Sequence, residues 1–203
     1  MKEIMPGVFH WTAKHPRIGS TVSSYFIAES GTVLDPMIPP DVGLDWFQSE
    51  NSAQAIALTN RHHDRDAGVY CDTLGLSPVL VPESGLHEFD GKEFDVSGYA
   101  AGEEIVPGIL AHEVDALSPD EMALEIRSAG ALAMADSLVH VERVRFVNDS
   151  LMDNPAETKR ALVQSLGRLL DVDFDTLLFA HGEPIVGGGK QALRSFLASD
   201  PAS

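Results

Sequence analysis

Three stretches of the sequence bring metal-capable or proton-transferring side chains to the ends of apolar runs. In Leu58-Thr59-Asn60-Arg61-His62-His63-Asp64-Arg65-Asp66-Ala67-Gly68, a strand-like run ends and imidazoles and carboxylates crowd the turn into a helix. Side chains at alternate positions of an extended turn point the same way, so Asn60, His62 and Asp64 are expected to converge, with His63 pointing away from His62. Imidazole and carboxylate together suit a divalent metal: zinc, manganese or iron. The same residues also read as a polar helix start, because Asp64 and Asp66 favour the N-terminal dipole with or without an ion. In Leu177-Leu178-Phe179-Ala180-His181-Gly182-Glu183-Pro184-Ile185, an apolar strand delivers His181 to its C-terminal end and Gly182 turns the chain. Strand C-terminal ends are where α/β proteins place their ligands. The run Ala131-Leu132-Ala133-Met134-Ala135 ends in the same way on Asp136. Two strand ends carrying Asp136 and His181 fit one shared site.

The elements that must position these groups alternate along the chain. Residues 21–29 and 32–34 read as paired strands around the Ser30-Gly31 turn, 41–50 as a helix and 55–59 as a buried strand. A helix over 64–74 ends at Gly75, and further strands fall at 78–81, 109–114, 123–127, 131–135 and 176–180. The clearest helix starts at Asn154, with Pro155 in its first turn, Glu157 completing a capping box, and Leu162, Leu166, Leu169 and Leu170 as its apolar stripe. A last helix spans 190–198. Strands interleaved with helices over this length make a single α/β domain, residues 1–203.

Composition narrows the function classes. The chain carries 31 acidic and 14 basic residues, a net charge of −17, and such a field repels phosphate backbones and anionic lipid. The expected partners are a small-molecule substrate, neutral or cationic rather than anionic, and not nucleic acid or a membrane; a homodimer is left open. No apolar run reaches the roughly 20 residues of a membrane span, and the first residues lack a signal peptide's pattern, so a cytoplasmic location is expected. Cys71 is the single cysteine and reads as a small buried hydrophobe.

Taken in order, these motifs resemble the metallo-β-lactamase-fold hydrolase superfamily over nearly the whole chain. Val33-Leu34-Asp35-Pro36 is similar to its opening Leu-Asp segment, and Asn60–Arg65 to its His-x-His-x-Asp-His motif. Leu117-Ser118-Pro119 is similar to its His-Thr-Pro turn, Ala135-Asp136 to its Gly-Asp strand end, and Ala180-His181-Gly182 to its final Gly-His-Gly. The resemblance implies a four-layer αβ/βα sandwich: two mixed β-sheets face to face with helices outside and the site at one edge.

The departures matter as much. Asn60, Arg65 and Leu117 stand where the family has histidines, so the resemblance implies a degenerate site in which the first metal is lost. A mono-zinc subclass of the family shows the same Asn-x-His-x-Asp-Arg pattern. By that likeness Asp64, Asp136 and His181, with His62 beside them, are the expected ligands of one divalent metal, zinc, manganese or iron. Asp64 or His62 would act as general base, and Arg65 or Asn60 would steady an oxyanion. The expectation is a single-metal hydrolase of a small ester, lactone or amide. The alternative is a metal-free pseudoenzyme that keeps the fold for binding or assembly.

Overall fold

The computed structural model describes residues 1–49 and 51–202. The chain runs β1 (Lys2–Met5), β2 (Val8–Lys14), β3 (Thr21–Ile27), β4 (Thr32–Leu34), β5 (Ala55–Ala57), α1 (Ala67–Leu74), β6 (Val79–Pro82) and β7 (Val96–Tyr99). It continues through β8 (Glu104–Val106), β9 (Ile109–Glu113), β10 (Met122–Ile126), β11 (Ala131–Met134), β12 (Leu138–Val141) and β13 (Arg143–Phe146). It closes with α2 (Pro155–Arg168), β14 (Thr176–Phe179) and α3 (Gly189–Ala198). The first seven strands form one sheet in chain order, antiparallel up to the β3–β4 pair and parallel from there to β7. The second sheet has the order β14-β11-β10-β9-β8, with β11 and β14 parallel, and β12 and β13 make a separate hairpin.

Three apolar clusters show why these elements stack in four layers. Tyr25, Ile27 and Leu34 of the first sheet meet Ile109, Leu124, Ala133 and Leu178 of the second to form the core between the sheets. The outer face of the first sheet, with Phe26, Val33 and Ile56, is covered by Tyr70 of α1 and by Phe47. The outer face of the second, with Leu132, Leu177 and Phe179, is covered by Leu162 and Leu166 of α2 and Leu193 of α3. Each buried strand therefore has apolar side chains on both faces. This is the αβ/βα sandwich of two mixed sheets that the motifs imply.

Local chemistry explains the element ends. Asn154 caps α2 as expected, accepting from the Glu157 N–H (3.4 Å), but the Glu157 carboxylate closes back on the Asn154 side-chain amide (2.9 Å) and not on its backbone N–H, so the full capping box does not form. The stretch 41–50 does not form a helix: turns lead into a single 3₁₀ segment, Asp45–Gln48, and Glu50 lies outside the described residues. Pro39, Pro40 and Gly43 precede it, and neither residue type supports a helix interior. Helix α1 begins three residues later than 64, because a separate 3₁₀ turn, Arg61–His63, occupies the exit from β5. No helix among the described residues is long and apolar enough to cross a membrane.

Candidate metal centre

The 3₁₀ turn Arg61–His63 sets the geometry of the site. Asn60 caps it, its Oδ1 accepting from the His62 N–H at 2.8 Å. A 3₁₀ helix turns three residues per revolution, so positions i and i+3 lie on one side. Asn60 and His63 accordingly both face Asp136, while His62 is exposed in the wall of the cavity. Buried Asp120 anchors the turn from β10's side, accepting from the Arg61 backbone N–H at 2.6 Å and pairing with the Arg61 guanidinium.

His63, Asp136 and His181 form the group able to hold a cation, their ligand atoms all lying within 4.8 Å of one another. His63 Nε2 is 3.1 Å and His181 Nε2 3.0 Å from the same atom, Asp136 Oδ1. The other carboxylate oxygen, Oδ2, accepts from Asn60 Nδ2 at 2.9 Å. Behind His63, Nδ1 meets Asp35 Oδ2 at 2.8 Å, and Asp35 is fixed in turn by the Thr59 N–H and hydroxyl (2.8 and 2.7 Å). A carboxylate behind a histidine fixes the ring and leaves its far nitrogen for a ligand.

The electrostatics of the trio are strongly coupled. Burial alone would lower the His63 pKa, but the charges of Asp35 and Asp136 outweigh it and hold His63 up to about 9. Burial likewise works against the charge on Asp136, and His63 and His181 overcome it and hold the carboxyl well below its ordinary value. Arg65, in the left-handed region at φ 40°, donates Nη1 to the carbonyls of Ser23 (2.6 Å) and Asp35 (2.8 Å). Its Nη2 is buried with no hydrogen-bond partner among the described residues.

The loop carrying His181 is clamped from both sides. The Ser23 hydroxyl donates to the Gly182 carbonyl at 3.0 Å, and His140 N donates to the His181 carbonyl at 3.0 Å. Gly182 sits at φ 104°, and a Cβ there would stand 1.9 Å from the His140 carbonyl oxygen. Only glycine fits that approach.

The structure brings Asp136 and His181 together, and the third side chain beside them is His63, not Asp64 or His62. Asp64 turns away to an ion-pair cluster, with Arg17 Nη2 at 2.9 Å and Lys92 Nζ at 2.6 Å. Burial would raise its pKa, but Lys92 and Arg17 hold it below the ordinary carboxylate range. Asn60 is committed to Asp136 and to the turn. His112 pairs with Glu125 at 2.8 Å, away from the trio, and His140 supports the His181 loop through its backbone. His15 reaches the cavity wall, whereas His10 stacks on Tyr25 and meets Ser23 Oγ at 3.0 Å. Sequence reasoning that assumed an extended turn missed His63 and its partner Asp35; the capping residue Asn60 was the available sign of a helical turn.

The trio lies in the wall of a cavity of about 960 Å³, within the size range of ligand pockets. The donor set fits a divalent ion. Two imidazoles and a carboxylate whose ligand atoms lie this near one another are a donor set that zinc accepts.

No protein-family model matches the chain, and no curated protein matches it. Solved structures do. A metallo-β-lactamase family protein from Thermus thermophilus superposes with a TM-score of 0.67 at 18% identity, covering 98% of this chain and 81% of its own. A metallo-β-lactamase from Pontibacter korlensis gives 0.70 at 14% identity, with 97% of each chain covered. The rubredoxin oxygen:oxidoreductase of Desulfovibrio gigas gives 0.69 at 12% identity, covering 97% of this chain and 60% of the other. At these identities the likeness is one of architecture, and this chain has the metallo-β-lactamase fold.

Proposed function

We propose that the chain is a single-metal hydrolase acting on a small ester, lactone or amide, with His63, Asp136 and His181 as its metal ligands. The observation that carries this reading is the convergence of two imidazole nitrogens on one carboxylate oxygen at a cavity wall, with Asp35 backing His63. Two imidazoles and a carboxylate hold zinc in hydrolases and iron in oxygenases, so zinc is the first ion to test. Such an ion supplies Lewis-acid activation of a carbonyl and of a water.

The chain's own residues supply the rest. Asp35 keeps the Nδ1 proton of His63 in place, and Asn60 holds Asp136 so that Oδ1 faces the two histidines. His62, whose ring makes no hydrogen bond among the described residues, is the free imidazole in the cavity wall and is placed to accept a proton there. Asp64, saturated by Arg17 and Lys92, is a poor base. Arg65 contributes fixed positive charge beside the trio for a developing oxyanion.

A second reading has its own support. Asp35, His63, Asp136 and His181 already satisfy one another without an ion, as a metal-free relic would require. An ester and lactone screen on zinc-loaded and chelator-treated protein separates the two. Turnover that follows the metal and disappears in His181→Ala supports the hydrolase; a loaded protein that turns over none of these substrates favours the relic.

A further inference from the structure

The chain is acidic overall, yet the cavity is not. Five of the 14 lysines and arginines line it (Arg17, Arg61, Arg65, Lys92 and Arg145), against three of the 31 carboxylates, Asp64, Glu88 and Asp136. Four of these five cations are already engaged. Arg17 and Lys92 hold Asp64, and Arg61 holds Asp120; Arg65 also lacks a carboxylate partner among the described residues, but its Nη1 is spent on two backbone carbonyls and its Nη2 is buried out of a ligand's reach. Arg145 is different. Its one hydrogen bond among the described residues goes to the neighbouring Phe146 carbonyl at 3.2 Å, and it has no carboxylate partner among them.

The wall around Arg145 is apolar, and the strand register shows why. In the β12–β13 hairpin Val139 faces Arg145 and Leu138 faces Phe146. Side chains alternate along a strand, so Val139, Val141, Arg143, Arg145 and Val147 share one face, and all of these but Arg143 line the cavity, while Leu138 and Phe146 pack into the core. Exposed Ile18 (59%) and Leu151 (66%) complete the mouth. Of six large hydrophobic side chains exposed on the described surface, three (Ile18, Val141 and Leu151) are gathered here. An unpaired guanidinium set in a hydrocarbon wall is complementary to a molecule with an apolar body and one anionic group.

We infer that the hairpin face recognises an amphipathic anion, with Arg145 taking its carboxylate or phosphate and Val141, Ile18 and Leu151 taking its hydrocarbon chain. The inference narrows the substrate class of the proposed hydrolase and rests on that reading for its catalytic meaning. The recognition itself needs no metal. The strong negative field outside the cavity lowers the encounter rate with such anions, so the local cation must supply the selectivity.

Binding titrations test this directly, with decanoate, decyl phosphate and decyltrimethylammonium as probes. They are run on the protein as purified and after chelation, with wild type, Arg145→Gln and Leu151→Asp compared. The expected result is that at least one of the two anions binds the chelated protein, that the cation does not compete, and that each variant weakens binding by about tenfold or more. The stronger of the two anions identifies the head group. Equal binding of anion and cation, or an affinity unchanged in Arg145→Gln, overturns the inference. So does self-association that Leu151→Asp abolishes without any anion binding, which would assign the patch to a second copy of the chain. Because chelated protein reads the wall alone, failure of the metal site leaves this result interpretable, and failure here leaves the metal content untouched.

Discussion

Asp35 Oδ2 stands 2.8 Å from His63 Nδ1, so the ring presents its Nε2 to Asp136 and to the cavity. Asp35 adopts a left-handed backbone at φ 49° at the end of β4 and receives three contacts from Thr59 and His63. The ring of His63 is therefore oriented before any ligand arrives. Asp35→Asn keeps the shape and tolerates that backbone, but it loses the charge that supports the imidazole. Zinc affinity should fall about 10–100-fold, measured by competition with a chromophoric chelator. An unchanged affinity would show that His63 is not a ligand.

The paired acids also make the metal-free protein sensitive to pH. With His63 raised from 6.5 to about 9, its contribution to stability is fully present below pH 6.5 and is lost as pH rises through about 9. Chelated wild type should lose thermal stability over that window, and His63→Gln should lose much less. A bound ion must displace the His63 proton, so metal affinity should rise with pH over the same range.

Glu121 runs with the opposite sign. Burial, reinforced by Asp136, pushes its pKa from 4.5 up to about 8, and its Oε2 has no hydrogen-bond partner among the described residues. An acid with a raised folded-state pKa subtracts stability as pH climbs from 4.5 through about 8. Glu121→Gln can keep an acceptor for the Ser137 N–H. It should raise the unfolding midpoint above about pH 8 and leave it unchanged below pH 4.5, as read in calorimetric scans across that range.

Asp64 supplies a control that separates the structural trio from the motif expectation. Held by Arg17 and Lys92, it should be dispensable for the ion: Asp64→Asn should retain the wild-type metal content. Loss of metal in that variant would return Asp64 to the ligand set.

Gly182→Ala should displace the His181 loop, because the added Cβ meets the His140 carbonyl at 1.9 Å. We expect a loss of about 2 kcal/mol or more in denaturant unfolding, together with weaker metal binding. A fully stable variant with normal metal affinity would mean the loop relaxes freely.

Much of this was legible in the residues. Apolar runs ending at Asp136 and at His181 announced two adjacent strand ends, and β11 and β14 do lie side by side and parallel. The N-cap residue Asn154, followed by Pro155, announced α2. The four layers followed from the motif order, not from periodicity, since the central strands are buried on both faces and show no alternation. The third member of the trio was hidden by local conformation. Residues 60–64 read as an extended turn place His62 inward, whereas one 3₁₀ turn rotates His63 in and His62 out. The β12–β13 hairpin was also invisible, because Val139, Val141 and Val147 on one of its faces are as apolar as a core-facing strand, and Arg143 and Arg145 alone break the pattern on that face.

The three-ligand site stands or falls on the metal content of the purified protein after reconstitution with zinc, manganese or iron, measured beside a His63→Ala, His181→Ala double variant. About one ion per chain is expected in the wild type and none in the variant. No ion in the wild type, or equal content in both proteins, would contradict it.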